Sequence, residues 1–405
     1  MEIPMLKLTL PETVYAVPGI ESSIYFRNVT DSAVPESYAY EVRCDRGSQE
    51  EFRWVWIPGA EDAGRSFELE LRLFNDYGMA ISGKTRIAVA GHPANSEMKI
   101  TLALLADSGI NCGYAEHLMA LMRSNGFPNY TPVGSHAGHG RTIEPGGIAH
   151  DGYGGFSWNC FLSRWLYSRE ELPQTQNAAE REQIERFGVM DVPKSDWRLR
   201  SPLLKVENGE KVLDIPGWLN RINGGMAPDF IVIQLGGNDM FHCRPENLDG
   251  RVAEVMGHVR ALLEALRRHA PDAVIGVTTC PPGCGQDGFG ANYGCLQSKY
   301  QYRRNIQRYN RELAEFIRKQ ADPGIVTVPL HHAIDPENSY LFSDIPAHAR
   351  AERKIRRCIN ALHASQEGGF QLGDAIYCWL RNELENKNGP VLQENRNVQA
   401  KQGNA

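Results

Sequence analysis

Lys99-Ile100-Thr101-Leu102-Ala103-Leu104-Leu105 runs without interruption into Ala106-Asp107-Ser108-Gly109-Ile110. The first seven residues form a nearly continuous apolar run of strand length, the pattern of a strand covered on both faces. From Asn111 to Arg123 the pattern changes, with Leu118, Leu121 and Met122 at helical spacing. A buried strand, a tight turn and then a helix is the opening unit of an α/β sheet.

The same alternation continues toward the C-terminus. Phe230-Ile231-Val232-Ile233-Gln234-Leu235 reads as a second strand, Ala273 to Thr279 as a third and Ile325 to Leu330 as a fourth. Val252, Val255, Met256, Val259, Leu262, Leu263 and Leu266 mark one face of a helix between the second and third strands. A further helix surrounds Leu313 and Phe316, and the last begins near Gly368 with Ile376 and Leu380 inward. This order predicts a parallel sheet with helices on both faces. Residues 134–160, rich in Gly and His, and the polar, Trp-punctuated 168–225 interrupt it. Long insertions of this kind commonly build binding sites.

Toward the N-terminus the period drops to about two. Ser23-Ile24-Tyr25-Phe26, Tyr38-Ala39-Tyr40-Glu41-Val42 and Phe67-Glu68-Leu69-Glu70-Leu71-Arg72-Leu73 alternate, separated by Pro58-Gly59 and Asn75-Asp76-Tyr77-Gly78. Short strands at regular spacing predict a β-sandwich. Trp54-Val55-Trp56-Ile57-Pro58 followed by Asp62-Ala63-Gly64 resembles the strand-and-corner pattern of immunoglobulin-like modules. Gly91-His92-Pro93-Ala94-Asn95 reads as a linker. The division expected is therefore a sandwich over 1–95, an α/β domain over 96–385 and a polar, disordered tail over 386–405.

Whole-chain properties narrow the function. At 405 residues the chain is long enough for two domains, and its composition (42% hydrophobic, 23% charged) is that of an ordinary globular protein. A net charge of −6 without a dense Lys/Arg run argues against nucleic acid as a partner. No stretch reaches the apolar length needed to span a bilayer, so no membrane partner is expected. The first residues lack the basic start and apolar core of a signal peptide. A cytoplasmic location is thus expected from the sequence as given, with a periplasmic or secreted one if a leader was trimmed. Nine cysteines spread along the chain favour a reducing compartment, while one or two disulfides stay open.

Three weak signals fall where open parallel sheets bind ligands, at strand carboxyl ends. Ser108 follows the first strand, and its N–H at a helix start is able to donate to an oxyanion. The plainer role for it is a helix cap. Leu235-Gly236-Gly237-Asn238-Asp239 follows the second strand and offers an amide donor, or else a plain turn. Asn360-Ala361-Leu362-His363 stands before Glu367-Gly368-Gly369-Phe370 and the final helix. His363 is otherwise a surface histidine.

In this order the blocks resemble the SGNH hydrolases, named for Ser, Gly, Asn and His in four separated motifs. Ala106-Asp107-Ser108 stands for the first, Gly152-Tyr153-Gly154-Gly155-Phe156 for the second and Gly236-Gly237-Asn238-Asp239 for the third. Asn360-Ala361-Leu362-His363 stands for the one that normally reads D-x-x-H. The resemblance spans residues 99 to about 382. It implies a flavodoxin-like α/β/α sandwich, Ser108 as nucleophile, His363 as general base, and an oxyanion held by the Ser108 N–H, the Gly155 N–H and Asn238. It implies no cofactor and no metal. Two positions depart from the pattern. Ala106 replaces a glycine, and Asn360 stands where the acid belongs. The amide oxygen of Asn360 is expected to accept from His363 and hold its tautomer without supplying charge, giving a Ser–His dyad backed by a carbonyl or another acid.

Within such hydrolases, a β-sandwich joined to the catalytic domain is similar to carbohydrate O-acetyl esterases, and a long apolar lid for lipid is missing. Removal of acetyl groups from a glycan or glycoside is the first expectation. A short-chain acyl esterase or thioesterase is the second, and an inactive glycan-binding member, motivated by Asn360, the third. Asp107, Tyr153, Trp158 and Asp239 are further candidates for substrate contacts. Trp158 and Trp165 suit either a sugar platform or core packing. Cys280-Pro281-Pro282-Gly283-Cys284 with Cys295 is a poor zinc set, because its spacing is loose and a fourth ligand is missing. His136, His139 and His150 are expected near the cleft, and His331-His332 with Asp335 as strand-end residues.

Overall fold

The computed structural model describes residues 6–91, 97–137, 147–171, 178–293 and 297–388. In the N-terminal region, strands β1 (Thr13–Ala16), β2 (Ser22–Tyr25), β3 (Ala39–Arg43), β4 (Arg53–Trp56), β5 (Ser66–Asn75) and β6 (Gly78–Val89) form two sheets. One runs β1-β6-β5-β3, and the other pairs β2 with β4 and a short strand at Ser48–Gln49. The alternation in β5 turns Leu69, Leu71 and Leu73 inward. They meet Ile24, Trp54 and Trp56 from the other sheet in one apolar cluster. Of the linker proposed at 91–95, all but Gly91 lies outside the described residues.

The second region is built on β7 (Ile100–Ala106), α1 (Tyr114–Ser124), β8 (Tyr130–Val133), β9 (Ala149–Gly152), α2 (Trp158–Ser163) and α3 (Ile215–Asn223). There follow β10 (Phe230–Gln234), α4 (Leu248–His269), β11 (Val274–Thr278), α5 (Lys299–Gln320) and β12 (Ile325–Val328). Parallel pairing gives the order β8-β7-β10-β11-β12, with β9 continuing the β8 edge beside the end of β7. Every residue of β10 and β11 is buried, as expected of strands covered on both faces. Helix α1 packs on the final helix, α6 (Gln366–Asn388), while α4 packs on α2, α3 and α5. The order reverses between β7 and β10, the switch point at which doubly wound sheets take their ligands.

Between β12 and α6 the chain forms an antiparallel hairpin, β13 (Tyr340–Pro346) with β14 (Lys354–Ala364), separate from the central sheet. The expectation that the Ser, Asn and His blocks all sit at strand ends of one sheet is therefore corrected: His363 belongs to this hairpin. Leu341 pairs with Asn360 and Tyr340 with Ala364, so Ala361, Leu362 and His363 bulge out of the ladder. Helix α6 continues through Asn388, past the expected tail boundary, and residues 389–405 lie outside the described set.

A polar seam joins the two regions. His331 and His332 are buried in it. His332 donates from Nδ1 to the Ser23 carbonyl at 2.8 Å, and Tyr25 N–H returns to the His332 carbonyl at 3.0 Å. His331 donates from Nε2 to the Thr9 carbonyl at 2.6 Å and accepts at Nδ1 from the Thr279 hydroxyl at 2.8 Å. Asn28 donates to the Ile334 carbonyl, and Arg311 pairs with Asp31. The histidine pair ties strand ends together across the chain.

Candidate active site

The Ser108 turn is shaped by its neighbours. Asp107, not Ser108, caps the short 3₁₀ turn Ser108–Cys112, its Oδ1 accepting from Gly109 N–H at 2.8 Å. That leaves the serine hydroxyl unengaged by the backbone, and it lies 2.8 Å from His363 Nε2. A side chain at 109 would collide with Gln234, the last residue of β10, at 2.4 Å. Glycine there lets the serine turn sit tight against the next strand.

The second strand end repeats the logic. Gly236 has φ +120°, and a Cβ on it would fall 2.4 Å from the Tyr309 ring. Only glycine satisfies both conditions. The chain then enters the single helical turn Gly237–Met240, which carries Asn238. One amide hydrogen of Asn238 goes to the Phe156 carbonyl at 2.9 Å, tying this corner to the Gly155 loop. Gly155 itself has φ +76° in a turn closed by Phe156 N–H on the Tyr153 carbonyl.

Ser108, Asp107, Gly155, Asn238 and His363 line one pocket of about 350 Å³. Phe241, Pro281, Tyr293, Tyr302, Tyr340 and Leu362 supply much of its apolar wall. Burial holds the His363 pKa below the ordinary histidine value, which favours the neutral ring. Burial also raises Asp107 to about 7, helped by the charge of Asp239, and Asp239 to about 6.

Asn360 stands directly behind the histidine, but not as expected. Its amide oxygen accepts from the backbone N–H groups of Leu362 and His363, each at 3.1 Å, and from the Tyr293 hydroxyl at 3.3 Å. Its amide nitrogen therefore faces His363 Nδ1, at 2.8 Å. The expectation that the amide oxygen would accept from the ring is corrected: the bulge claims that oxygen.

Other candidates move away from the pocket. Trp158 is 0% exposed, its indole N–H donating to Tyr309 at 2.9 Å, so it is core rather than a sugar platform. Trp165 is covered by the Arg200 guanidinium. Tyr153 is buried with its hydroxyl on Asp151, and Asp239 is buried behind Asn238, accepting from Trp158 N–H. Neither lines the pocket, so the substrate contacts expected of both are corrected: packing claims them. His136 and His150 are buried ring against ring beside Tyr153, off the pocket, while His139 lies outside the described residues. Cys284 and Cys358 face each other as thiols, Cys280 donates to the Leu235 carbonyl, and Cys295 lies outside the described residues. Among the described residues no group of three or more His, Cys, Asp or Glu converges to hold a metal.

Sequence reasoning passed over the pocket's aromatic wall. One signal was available: Cys280-Pro281 follows the end of β11, and the strand-end rule that selected Ser108 and Asn238 applies there too. Tyr293, Tyr302 and Tyr340 carry no comparable local mark.

Residues 204–368 match the GDSL-like Lipase/Acylhydrolase family, a stretch that contains the Asn238 and His363 blocks and begins after those of Ser108 and Gly155. A comparison with curated proteins found no match. Among solved structures, the chain is similar to the Clostridium thermocellum family 3 carbohydrate esterase at 16% identity and TM-score 0.39, covering 72% of this chain and 100% of that one. It is also similar to an acetyl xylan esterase from the rumen bacterium Butyrivibrio proteoclasticus at 12% identity and TM-score 0.34, over 94% and 86% of the two chains.

Proposed function

From the premise that this chain carries a GDSL-like acylhydrolase domain and is a carboxylic ester hydrolase, we propose that it removes acyl groups, O-acetyl foremost, from a carbohydrate or glycoside. In this reading Ser108 Oγ attacks the ester carbonyl carbon and its proton passes to His363 Nε2. The carbonyl oxygen becomes an oxyanion held by the N–H groups of Ser108 and Gly155 and the second amide hydrogen of Asn238. Collapse expels the sugar oxygen, which takes the proton from His363, and water then hydrolyses the acyl-enzyme by the same steps reversed.

The observation that carries the reading is the 2.8 Å approach of Ser108 Oγ to His363 Nε2, in a pocket that Gly155 and Asn238 also line. A pocket of about 350 Å³ lies at the lower end of the roughly 300–1,000 Å³ usual for ligand sites, which favours a short acyl group. Residues 1–95 and 96–385 are read as two domains, the first contributing no catalytic group.

Two measurements test the proposal. p-Nitrophenyl esters of rising chain length should be cleaved fastest at acetate, and a panel of acetylated glycans should release acetate. A preference for long chains would replace the glycan reading with a lipid one. Inertness toward every ester would remove the catalytic reading.

A further inference from the structure

We propose that Asn360 holds His363 in the tautomer that carries its hydrogen on Nε2, so that the resting ring donates to Ser108 rather than accepting from it. The inference rests on the reading of Ser108 and His363 as nucleophile and base. Its starting point is the orientation of one amide.

Asn360 cannot be turned over. Its oxygen receives two backbone N–H groups at 3.1 Å each and the Tyr293 hydroxyl at 3.3 Å. Reversal would set the amide's NH₂ against two N–H groups that belong to the bulge and have no other direction to point. The oxygen is therefore fixed, and the nitrogen with it, 2.8 Å from His363 Nδ1. An amide nitrogen only donates. Nδ1 must accept, and an accepting ring nitrogen carries no hydrogen. A neutral imidazole has one N–H, which then sits on Nε2, 2.8 Å from Ser108 Oγ.

A carboxylate at 360 would act in the opposite sense. One oxygen would take the two backbone N–H groups as now, and the other would accept from Nδ1–H, leaving the Nε2 lone pair aimed at the serine. Exchanging that oxygen for nitrogen inverts the dyad while every heavy atom stays in place. The general base must then work from a minor tautomer, in which Nδ1–H confronts the amide hydrogens or Asn360 breaks from the bulge. Asn360 is in this sense a positioning residue that positions against the reaction. The titratable groups lining the pocket with His363 are Asp107, Cys112, Cys280, Tyr293, Tyr302 and Tyr340. The group that meets Nδ1 is the Asn360 amide nitrogen, and the Tyr293 hydroxyl is directed to the amide oxygen instead.

The test uses the full chain with ¹⁵N-labelled histidine, and long-range ¹H–¹⁵N spectra near pH 7.5, with His363 assigned by the signals lost in His363→Gln. The wild type should show Nε2 protonated and Nδ1 bare, and Asn360→Asp the reverse. Since Asp-to-Asn exchange in a Ser-His-Asp triad costs about 10⁴-fold in turnover, Asn360→Asp should raise kcat on p-nitrophenyl acetate by about 10²- to 10⁴-fold. KM should change little, and the acidic limb of the pH profile should move upward, because a carboxylate beside the ring raises its pKa. A wild-type ring protonated on Nδ1 overturns the proposal, whether or not the variant folds. So does a folded Asn360→Asp protein that is no faster than wild type while the wild type hydrolyses the ester. An Nε2-protonated wild type that is inert in both forms, with Ser108 unlabelled by a fluorophosphonate, supports the tautomer and sinks the esterase reading instead.

Discussion

The histidines of the seam and the histidine of the pocket meet different surroundings, which give them opposite uses. At the seam, His331 and His332 donate to carbonyl oxygens of Thr9 and Ser23. Burial depresses their pKa values to about 3 and about 4. Those rings are neutral struts. In the pocket, His363 is half-buried between an amide donor and a serine hydroxyl, with a pKa that burial lowers. The difference teaches that a histidine's role is set by what faces its second nitrogen. A carbonyl or carboxylate there leaves the other nitrogen free to accept, as Nδ1 of His331 does from Thr279, whereas an amide donor puts the hydrogen on the nitrogen that faces the serine. Full burial away from the pocket is what makes the seam pair struts.

If the pocket is where chemistry happens, its variants should change turnover and leave stability nearly intact, and seam variants should do the reverse. The largest effect is expected for Ser108→Ala. Turnover should fall by about 10²- to 10⁴-fold, the share of a full triad's roughly 10⁶-fold that is left after the loss assigned to Asn360, and fluorophosphonate labelling should vanish with it. Labelling at another serine, with activity retained, would break the contrast at its centre. Asn238→Ala should lower kcat by about 10²- to 10³-fold with KM little changed, the signature of a donor used in the transition state. An equal rise in KM would make Asn238 a ground-state binder.

The smallest effect belongs to the seam and is read by pH. A histidine whose folded pKa lies below its unfolded value of about 6.5 contributes stability that is complete above pH 6.5 and is lost as pH falls toward the folded pKa. For His332 the window runs from about 6.5 down to about 4, a loss of about 2 kcal/mol by pH 5. Buried Asp107 and Asp239 act with the opposite sign, losing stability as pH rises from about 4 toward 7 and 6. The informative quantity is therefore the difference between wild type and His332→Gln in denaturant titrations at pH 7.5 and 5. The variant should show the flatter acid dependence, with turnover at pH 7.5 within about threefold of wild type, since His332 does not line the pocket. A pH dependence identical to wild type would show that His332 is not held neutral in the seam.

Much of the scaffold is legible in the sequence. The period of two in Phe67–Leu73 and the apolar runs at Ile100, Phe230 and Ile325 are local patterns, and local patterns survive into the fold. Positions of Ser108 and Asn238 followed from a rule about strand ends. What stayed hidden depends on contacts between distant segments. Trp158 is a core residue because Tyr309, 151 positions away, accepts its N–H. The hairpin under His363 was missed because Lys354-Ile355-Arg356-Arg357 is too polar to read as a buried strand, and the structure leaves Lys354, Arg356 and Arg357 exposed. The direction of the Asn360 amide is set by the bulge it supports, and no spacing in the sequence encodes an amide's rotation. Asn360 was legible as an exception, not as the orientation that makes it matter.

Ser108 and His363 are 255 positions apart in the chain, and β8, β10, β11 and β12 are laid down between them. Parallel strands have no local turn to register them, so such pairings form slowly and only after long loops close. The serine acquires its neighbour only when the sheet, the final hairpin and its bulge are all in place. The Ser108–His363 contact is therefore a late event in the life of a newly made chain, and if Ser108 is the nucleophile proposed, it becomes one only on molecules that have finished folding.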